Sequence, residues 1–321
     1  MTELPSFIDR DLYPFAPRRF ETAEGAMSYL DEGRGAPVLL VHGTPTWSFE
    51  WRRVVTALAG KHRVIAPDHL GYGLSDKPEG APYTPSDHAR RLIALVDVLD
   101  LRELTLVVHD FGVPIGLPVA LERPDRVTRI VVLNGWMWSH EGEASVARID
   151  RLVRSRFGRW LYLDYDVSPR VLLPGALGDR RRLTRELHHH YLSPFARRQD
   201  RSALLAMAEA LYGGNAHYQR LWSAREQLRG KLTDIVWGSA DPAFGASYLS
   251  RWREAFPAAK VTELPGIGHF LAEEAPEAVV AAIDPSVRLP VTPIPPRPLA
   301  WAWGAAAALT TAAGVTAWLL W

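Results

Sequence analysis

Apolar positions in this chain come in short runs separated by longer stretches of helical period. VLLVHG (38–43), RVIAPD (63–68), ELTLVVHD (103–110), RIVVLN (129–134), LTDIVWG (232–238) and KVTELPG (260–266) are runs of strand length. Such near-continuous runs suit strands buried on both faces. A helical stretch is expected from about Ser48 to Leu58. Another opens at Thr84-Pro85, an N-cap followed by proline at the first helical position, with apolar residues continuing at 92, 93, 95, 96 and 98. This alternation predicts an α/β class, a mostly parallel sheet flanked by helices. Between Gly135 and Lys231 the rhythm gives way to a long helical section. An insertion there would lie over the carboxyl ends of the strands, where open α/β sheets bind ligands. The expected organisation is a core in two parts (1–135 and 232–286), an inserted helical cap (136–231), a proline-rich linker (287–298) and a final apolar segment (299–321).

Charge and the two ends add to this picture. Lys plus Arg number 37 and Asp plus Glu 36, so the whole chain gives no nucleic-acid signal. The cap is different, with 17 basic and 10 acidic residues in 137–231. A solvated Arg-rich surface accounts for that excess, and a face toward anionic lipid or an anionic substrate is the sharper alternative. There is no cysteine, hence no disulfide or thiol chemistry. MTELPSFIDRDLYPF has no basic segment followed by an apolar stretch, so no signal peptide is expected. LAWAWGAAAALTTAAGVTAWLLW (299–321) carries no charge. As a helix it would span roughly 34 Å, with tryptophans at both ends. The expectation is a C-terminal transmembrane helix that anchors a cytoplasmic catalytic part.

The chemistry gathers at strand ends. His42-Gly43-Thr44-Pro45, Asp110, Asp241 and His269 each follow a proposed strand, and a parallel sheet brings such tips to one edge. Singly, each has a plain explanation: a helix cap, a turn residue before Pro242, a loop histidine. Together, in the order nucleophile, acid, histidine, they form the constellation of an α/β-hydrolase site. Asp110 needs no base to become a nucleophile, because a carboxylate is ionised near neutrality. Attack on an electrophile would give a covalent ester. His269 would then deprotonate the water that breaks it, with Asp241 orienting the ring. The backbone N–H groups of Thr44 and Phe111 are the candidate oxyanion-hole donors. Such a site suits alkyl halides, epoxides and strained rings. No cofactor is implied. His188-His189-His190 is a poor metal site, since adjacent helical residues point about 100° apart.

HGTPTWSFEWRRV, VIAPDHLGYGLSDKP, VVHDFGVPIGL and GIGHFLAEEAPE resemble the haloalkane dehalogenase and epoxide hydrolase branch of the α/β-hydrolases, from about residue 20 to 285. PDHLGYGLSDKP with an HD elbow is closer to the dehalogenases. The resemblance implies the α/β-hydrolase fold with an inserted cap. It also implies Asp110 as nucleophile, His269 as base, Asp241 as acid, and Thr44 and Phe111 at the oxyanion hole. Some members carry the acid after the strand that here ends at Asn134; asparagine there favours Asp241. Two departures bear on the leaving group. Family dehalogenases usually place Trp after the nucleophile, where its N–H holds the halide, and here Phe111 has no donor. A second donor often comes from Asn in HGNP, where this chain has Thr44. Trp136, Trp138 and Trp160 are candidate replacements, and Tyr162, Tyr165, Tyr191, Tyr212 and Tyr218 are the tyrosines that an epoxide hydrolase would draw on. The expected pocket residues are Trp136, Trp138 and Tyr191. The implied activity is haloalkane dehalogenase-like hydrolysis of a small apolar substrate, with epoxide hydrolysis or β-lactone opening as alternatives. A catalytically silent, membrane-tethered binding module is a further alternative, which the complete triad disfavours.

Overall fold

The computed structural model describes residues 4–289. Eight strands form one sheet: β1 (Arg18–Thr22), β2 (Gly25–Glu32), β3 (Pro37–Val41), β4 (Arg63–Pro67), β5 (Leu104–Asp110), β6 (Val127–Gly135), β7 (Leu232–Gly238) and β8 (Lys260–Leu264). Their order is β1-β2-β4-β3-β5-β6-β7-β8. β1–β2 and β2–β4 pair antiparallel, and every other pair is parallel. The apolar runs divide with period two. Leu39, Val41, Leu106, Val108, Ile130 and Val132 face one core. Val38, Leu40, Val107, Val131, Leu133 and Val236 face the other. A strand with a core on each side has no polar face to show, which is why β3 to β7 read as apolar runs, whereas β8 lies half in solvent at the sheet edge.

The first core packs against α2 (Pro85–Val98), α3 (Gly112–Glu122) and α10 (Ala246–Ala255). The second packs against α1 (Arg52–Leu58), α11 (Leu271–Glu274) and α12 (Pro276–Ile283). The predicted start of α2 is closed by a capping box between Thr84 and Asp87. The stretch before α1 differs from expectation: Ser48–Trp51 is a 3₁₀ turn and the α-helix begins at Arg52. Gly112 is the position where α3 meets the sheet. A Cβ there would lie 2.2 Å from the Val41 carbonyl oxygen, so only glycine lets the helix start this close to β3.

Between β6 and β7 the chain is helical, as α4 (Ala144–Arg154), α5 (Arg156–Leu163), a single turn α6 (Leu173–Gly175), α7 (Arg185–Leu192), α8 (Ser202–Gly213) and α9 (Asn215–Ser223). This section is tied to the strand-end loops. The Trp47 indole N–H donates to the His190 carbonyl at 3.0 Å, and the Tyr72 hydroxyl donates to the Ala203 carbonyl at 3.2 Å.

The expectation of a membrane-anchored chain is corrected. Among the described residues no helix is long and apolar enough to cross a membrane. The segment 299–321 on which the anchor was placed lies outside the described residues, as does the linker from 290 onward. Val287, expected to begin that linker, is instead part of the second core.

One buried ion pair locks the start of α1 to α11. Arg52 lies on Glu273, with Nη2 2.8 Å from Oε2, and the Tyr191 hydroxyl donates to Glu273 Oε1. Removing one partner of a buried pair strands the other charge without water. Arg52→Met is therefore expected to lower the unfolding free energy in urea by about 3 kcal/mol. A loss under about 1 kcal/mol would contradict this role.

Candidate active site

Asp110 is the last residue of β5 and has φ 55, in the left-handed region. A non-glycine residue there is strained, and such strain persists only where the surroundings over-determine it. The turn lifts the side chain out of the strand toward the end of β3. Thr44 N–H donates to Asp110 Oδ1 at 2.9 Å. Gly43 makes room: a Cβ there would meet Oδ1 at 2.2 Å. Phe111 caps α3 on the other side, so the carboxylate sits between two loop ends.

The turn carrying Thr44 is held by neutral imidazoles. His42 Nδ1–H donates to the Gly43 carbonyl at 2.7 Å, and its Nε2 accepts the His69 backbone N–H at 3.0 Å. His69 Nε2–H donates in turn to the His42 carbonyl at 3.0 Å. Burial pushes the His42 ring well below the usual histidine range and His69 down to about 4. A neutral ring can donate at one nitrogen and accept at the other, as His42 does here.

His269 stands between two carboxylates. Its Nδ1–H donates to Asp241 Oδ2 at 2.8 Å, and its Nε2 lies 3.4 Å from Asp110 Oδ2. Asp241 follows β7 and is fixed on both oxygens. Oδ1 accepts the backbone N–H groups of Ala243 (2.7 Å) and Phe244 (3.1 Å), and Oδ2 also accepts Asn134 Nδ2–H at 2.6 Å. Burial raises the Asp241 carboxyl, but the His269 ring and these hydrogen bonds outweigh it and the net direction is down. Burial likewise opposes charge on His269. The Asp241 and Asp110 carboxylates overcome that and raise the ring to about 10. In this arrangement His269 is an imidazolium. Its backbone is also held, with its N–H donating to the Ala176 carbonyl just after α6 at 2.8 Å.

The structure therefore brings together Asp110, Asp241, His269, Thr44 and Phe111. It separates the expected pocket residues. Trp136 reaches the site, with its ring edge-on to Phe111 at 4.7 Å and 5.2 Å from Phe244. Trp138 and Tyr191 pack elsewhere. Trp138 packs with Trp222, Tyr248 and Trp252 beneath the Arg251 guanidinium. Tyr191 belongs to the Arg52–Glu273 pair on the second core. Trp160 is 49% exposed on the surface, which rules it out as a buried donor. The Tyr218 hydroxyl is committed to the Ala210 carbonyl at 2.7 Å.

Two contributors were not read from the sequence. The Tyr72 hydroxyl, whose hydrogen goes to the Ala203 carbonyl, accepts from Thr44 Oγ1 at 3.2 Å and so links the turn to the helical section. Asn134 bonds Asp241 and also receives the Gly238 N–H at 2.8 Å; its place at a strand end opposite the acid was the available signal. The histidines of the run 188–190 are each committed to protein partners, His188 to the Pro169 carbonyl, His189 to Ser193, and His190 to the Glu186 carbonyl and the Asp9 N–H. No group of three or more His, Cys, Asp or Glu side chains among the described residues is placed to hold a metal.

Comparison with known proteins agrees with this architecture. A family model described as alpha/beta hydrolase fold matches residues 36–276. Haloalkane dehalogenase 2 of Mycobacterium bovis is 36% identical over 279 residues, which is 86% of this chain and 96% of that protein. The cis-3-alkyl-4-alkyloxetan-2-one decarboxylase of Shewanella oneidensis is 34% identical over 283 residues, 85% of this chain and 88% of that protein. The crystal structure of a haloalkane dehalogenase from Bradyrhizobium elkani has a TM-score of 0.74 at 26% identity, covering 84% of this chain and 96% of that one. With the sheet order, the strained turn after β5 and these matches over most of its length, the chain belongs to the α/β-hydrolase family and is a haloalkane dehalogenase-like enzyme.

Proposed function

We propose that this hydrolase works through a covalent ester on Asp110 and acts on small apolar substrates with an electrophilic carbon, haloalkanes first. The observation that carries the reading is the carboxylate itself, with Oδ1 on the Thr44 N–H and Oδ2 facing His269 Nε2. Oδ2 attacks the carbon and the leaving group departs with the bonding pair. Oδ1 becomes the ester carbonyl oxygen, already seated on one oxyanion donor, and the Phe111 N–H at the head of α3 is the second. Water then adds to the carbonyl carbon of the ester while His269 takes its proton; the bond from that carbon to Oδ2 breaks, the alcohol departs carrying Oδ2 and the proton from His269, and the water oxygen stays in the Asp110 carboxylate.

The charge balance around His269 supports this sequence. At rest two carboxylates hold it as an imidazolium, the wrong form for a base. Ester formation removes the negative charge from Asp110, and with it part of the pull on the proton. The base is therefore released by the step that creates its substrate, while Asp241 keeps the ring oriented.

Phe111 and Thr44 favour a second reading. Phe111 offers no side-chain donor to a departing halide, and relatives include an oxetanone decarboxylase. Opening a strained β-lactone by the same Asp110 attack expels a carboxylate tethered to the substrate, which needs no halide clamp. Epoxide opening has less support, because the hydroxyls of Tyr191 and Tyr218 are already bonded elsewhere.

His269→Gln, incubated with 1-bromobutane, is expected to accumulate a butyl adduct on Asp110 with release of bromide. Adduct from a cis-3,4-dialkyl β-lactone but none from 1-bromobutane would move the assignment to the second reading. No adduct from either, or from styrene oxide, would contradict the ester mechanism. The electrostatic account has its own check. By ¹⁵N NMR titration, the His269 ring in Asp110→Asn is expected to lose its proton at clearly lower pH than in the unsubstituted chain, near 10 there. Equal values would contradict it. The sign for stability follows. The folded value lies above the unfolded value of about 6.5. Charged His269 therefore adds stability that is complete below about pH 6.5 and is lost as pH rises toward 10.

A further inference from the structure

His109, directly before Asp110, is 2% exposed and takes no part in the chemistry above. Its Nε2 lies 2.8 Å from the backbone carbonyl of His269. A carbonyl can only accept, so Nε2 carries the hydrogen and donates it. That commitment fixes what the other nitrogen meets. Nδ1 faces Glu50 Oε1 at 3.5 Å, and the two side chains are 2% and 1% exposed. Neither atom has a hydrogen-bond partner. A bare ring nitrogen against a bare carboxylate, both out of water, would repel. The contact is favourable only with a proton between them. The rings of His109 and His269 lie 4.8 Å apart, so the pair sits directly beneath the catalytic candidate.

From this we propose that Glu50 and His109 form a second carboxylate–imidazole pair that positions His269. Asp241 grips the ring of His269, and His109 grips its main chain. Glu50 keeps the hydrogen of His109 on Nε2 by occupying Nδ1. Without Glu50 the buried Nδ1 has no group to face, the ring is no longer held from that side, and its grip on the His269 carbonyl loosens. The loop shifts, and Nε2 of His269 leaves the line along which it meets the hydrolytic water. The pair acts through His269, so it serves the second step. The attack by Asp110 needs no base and is untouched. The inference rests on the two-step reading above.

The test uses the full chain with 1-bromobutane, following the Asp110 adduct by rapid-quench mass spectrometry. Glu50→Ala is expected to slow ester breakdown about 10- to 100-fold, the scale of a small misplacement of a catalytic group. Ester formation should stay within about twofold, so the adduct accumulates. Glu50→Gln supplies an amide N–H to Nδ1 and should restore breakdown to within about threefold. Should Glu50→Ala not fold, His109→Leu removes the donor and must show the same accumulation. With His269→Gln trapping the adduct in the same assay, equal slowing of both steps, or no accumulation in the Glu50 and His109 variants, overturns the positioning role. If His269→Gln itself traps nothing, the two-step reading fails and this inference falls with it.

Discussion

A carboxylate is held on a strained turn in a place with almost no water, and the rest of the site is arranged around it. Asp110 is 5% exposed at the top of a strained turn. The strain is held from three sides: β5 pairing with its neighbours, α3 starting hard against β3, and Gly43 giving up a side chain so that Oδ1 can reach the Thr44 N–H. One oxygen is thereby fixed on a backbone donor and the other is turned toward His269. Backbone donors do this without depending on side-chain identity, which explains why phenylalanine after Asp110 leaves this part of the site intact.

The histidine carries the electrostatic load. Burial opposes charge on His269, and the carboxylates on either side of it outweigh that. Asn134, Ala243 and Phe244 fill the remaining acceptor sites of Asp241. Its charge is therefore spent on holding the ring rather than on seeking a proton. The loop bearing His269 is also pinned at its backbone from two directions, by Ala176 and by His109. Much of the local sequence thus serves geometry, and only Asp110, His269 and the oxyanion donors are proposed to meet substrate.

The sheet was legible where strands are buried on both faces. β1 and β2 were not: RRFET lies half in solvent at the edge, and GAMSYLDE, though mostly buried, breaks its apolar run with Ser28, Asp31 and Glu32. The grouping of Asp110, Asp241 and His269 was legible because a parallel sheet collects strand tips, so chain order was enough. The direction of individual aromatic side chains was not. Tyr191 is drawn to Glu273, a residue 82 positions away, and Trp138 to partners on α9 and α10. Sequence spacing does not encode such long-range pairings. The same holds for Tyr72 and Glu50, whose partners lie on other elements.

The carboxylate defines the chemistry more sharply than the aromatic lining defines the leaving group. The most direct test of the central claim follows the oxygen. In a single turnover of 1-bromobutane in ¹⁸O-water, the water oxygen should enter the Asp110 carboxylate, found by peptide mass spectrometry, while the butanol released carries ordinary oxygen. Labelled butanol with an unlabelled Asp110 would mean that water attacks the substrate directly and that no ester forms, contrary to the account.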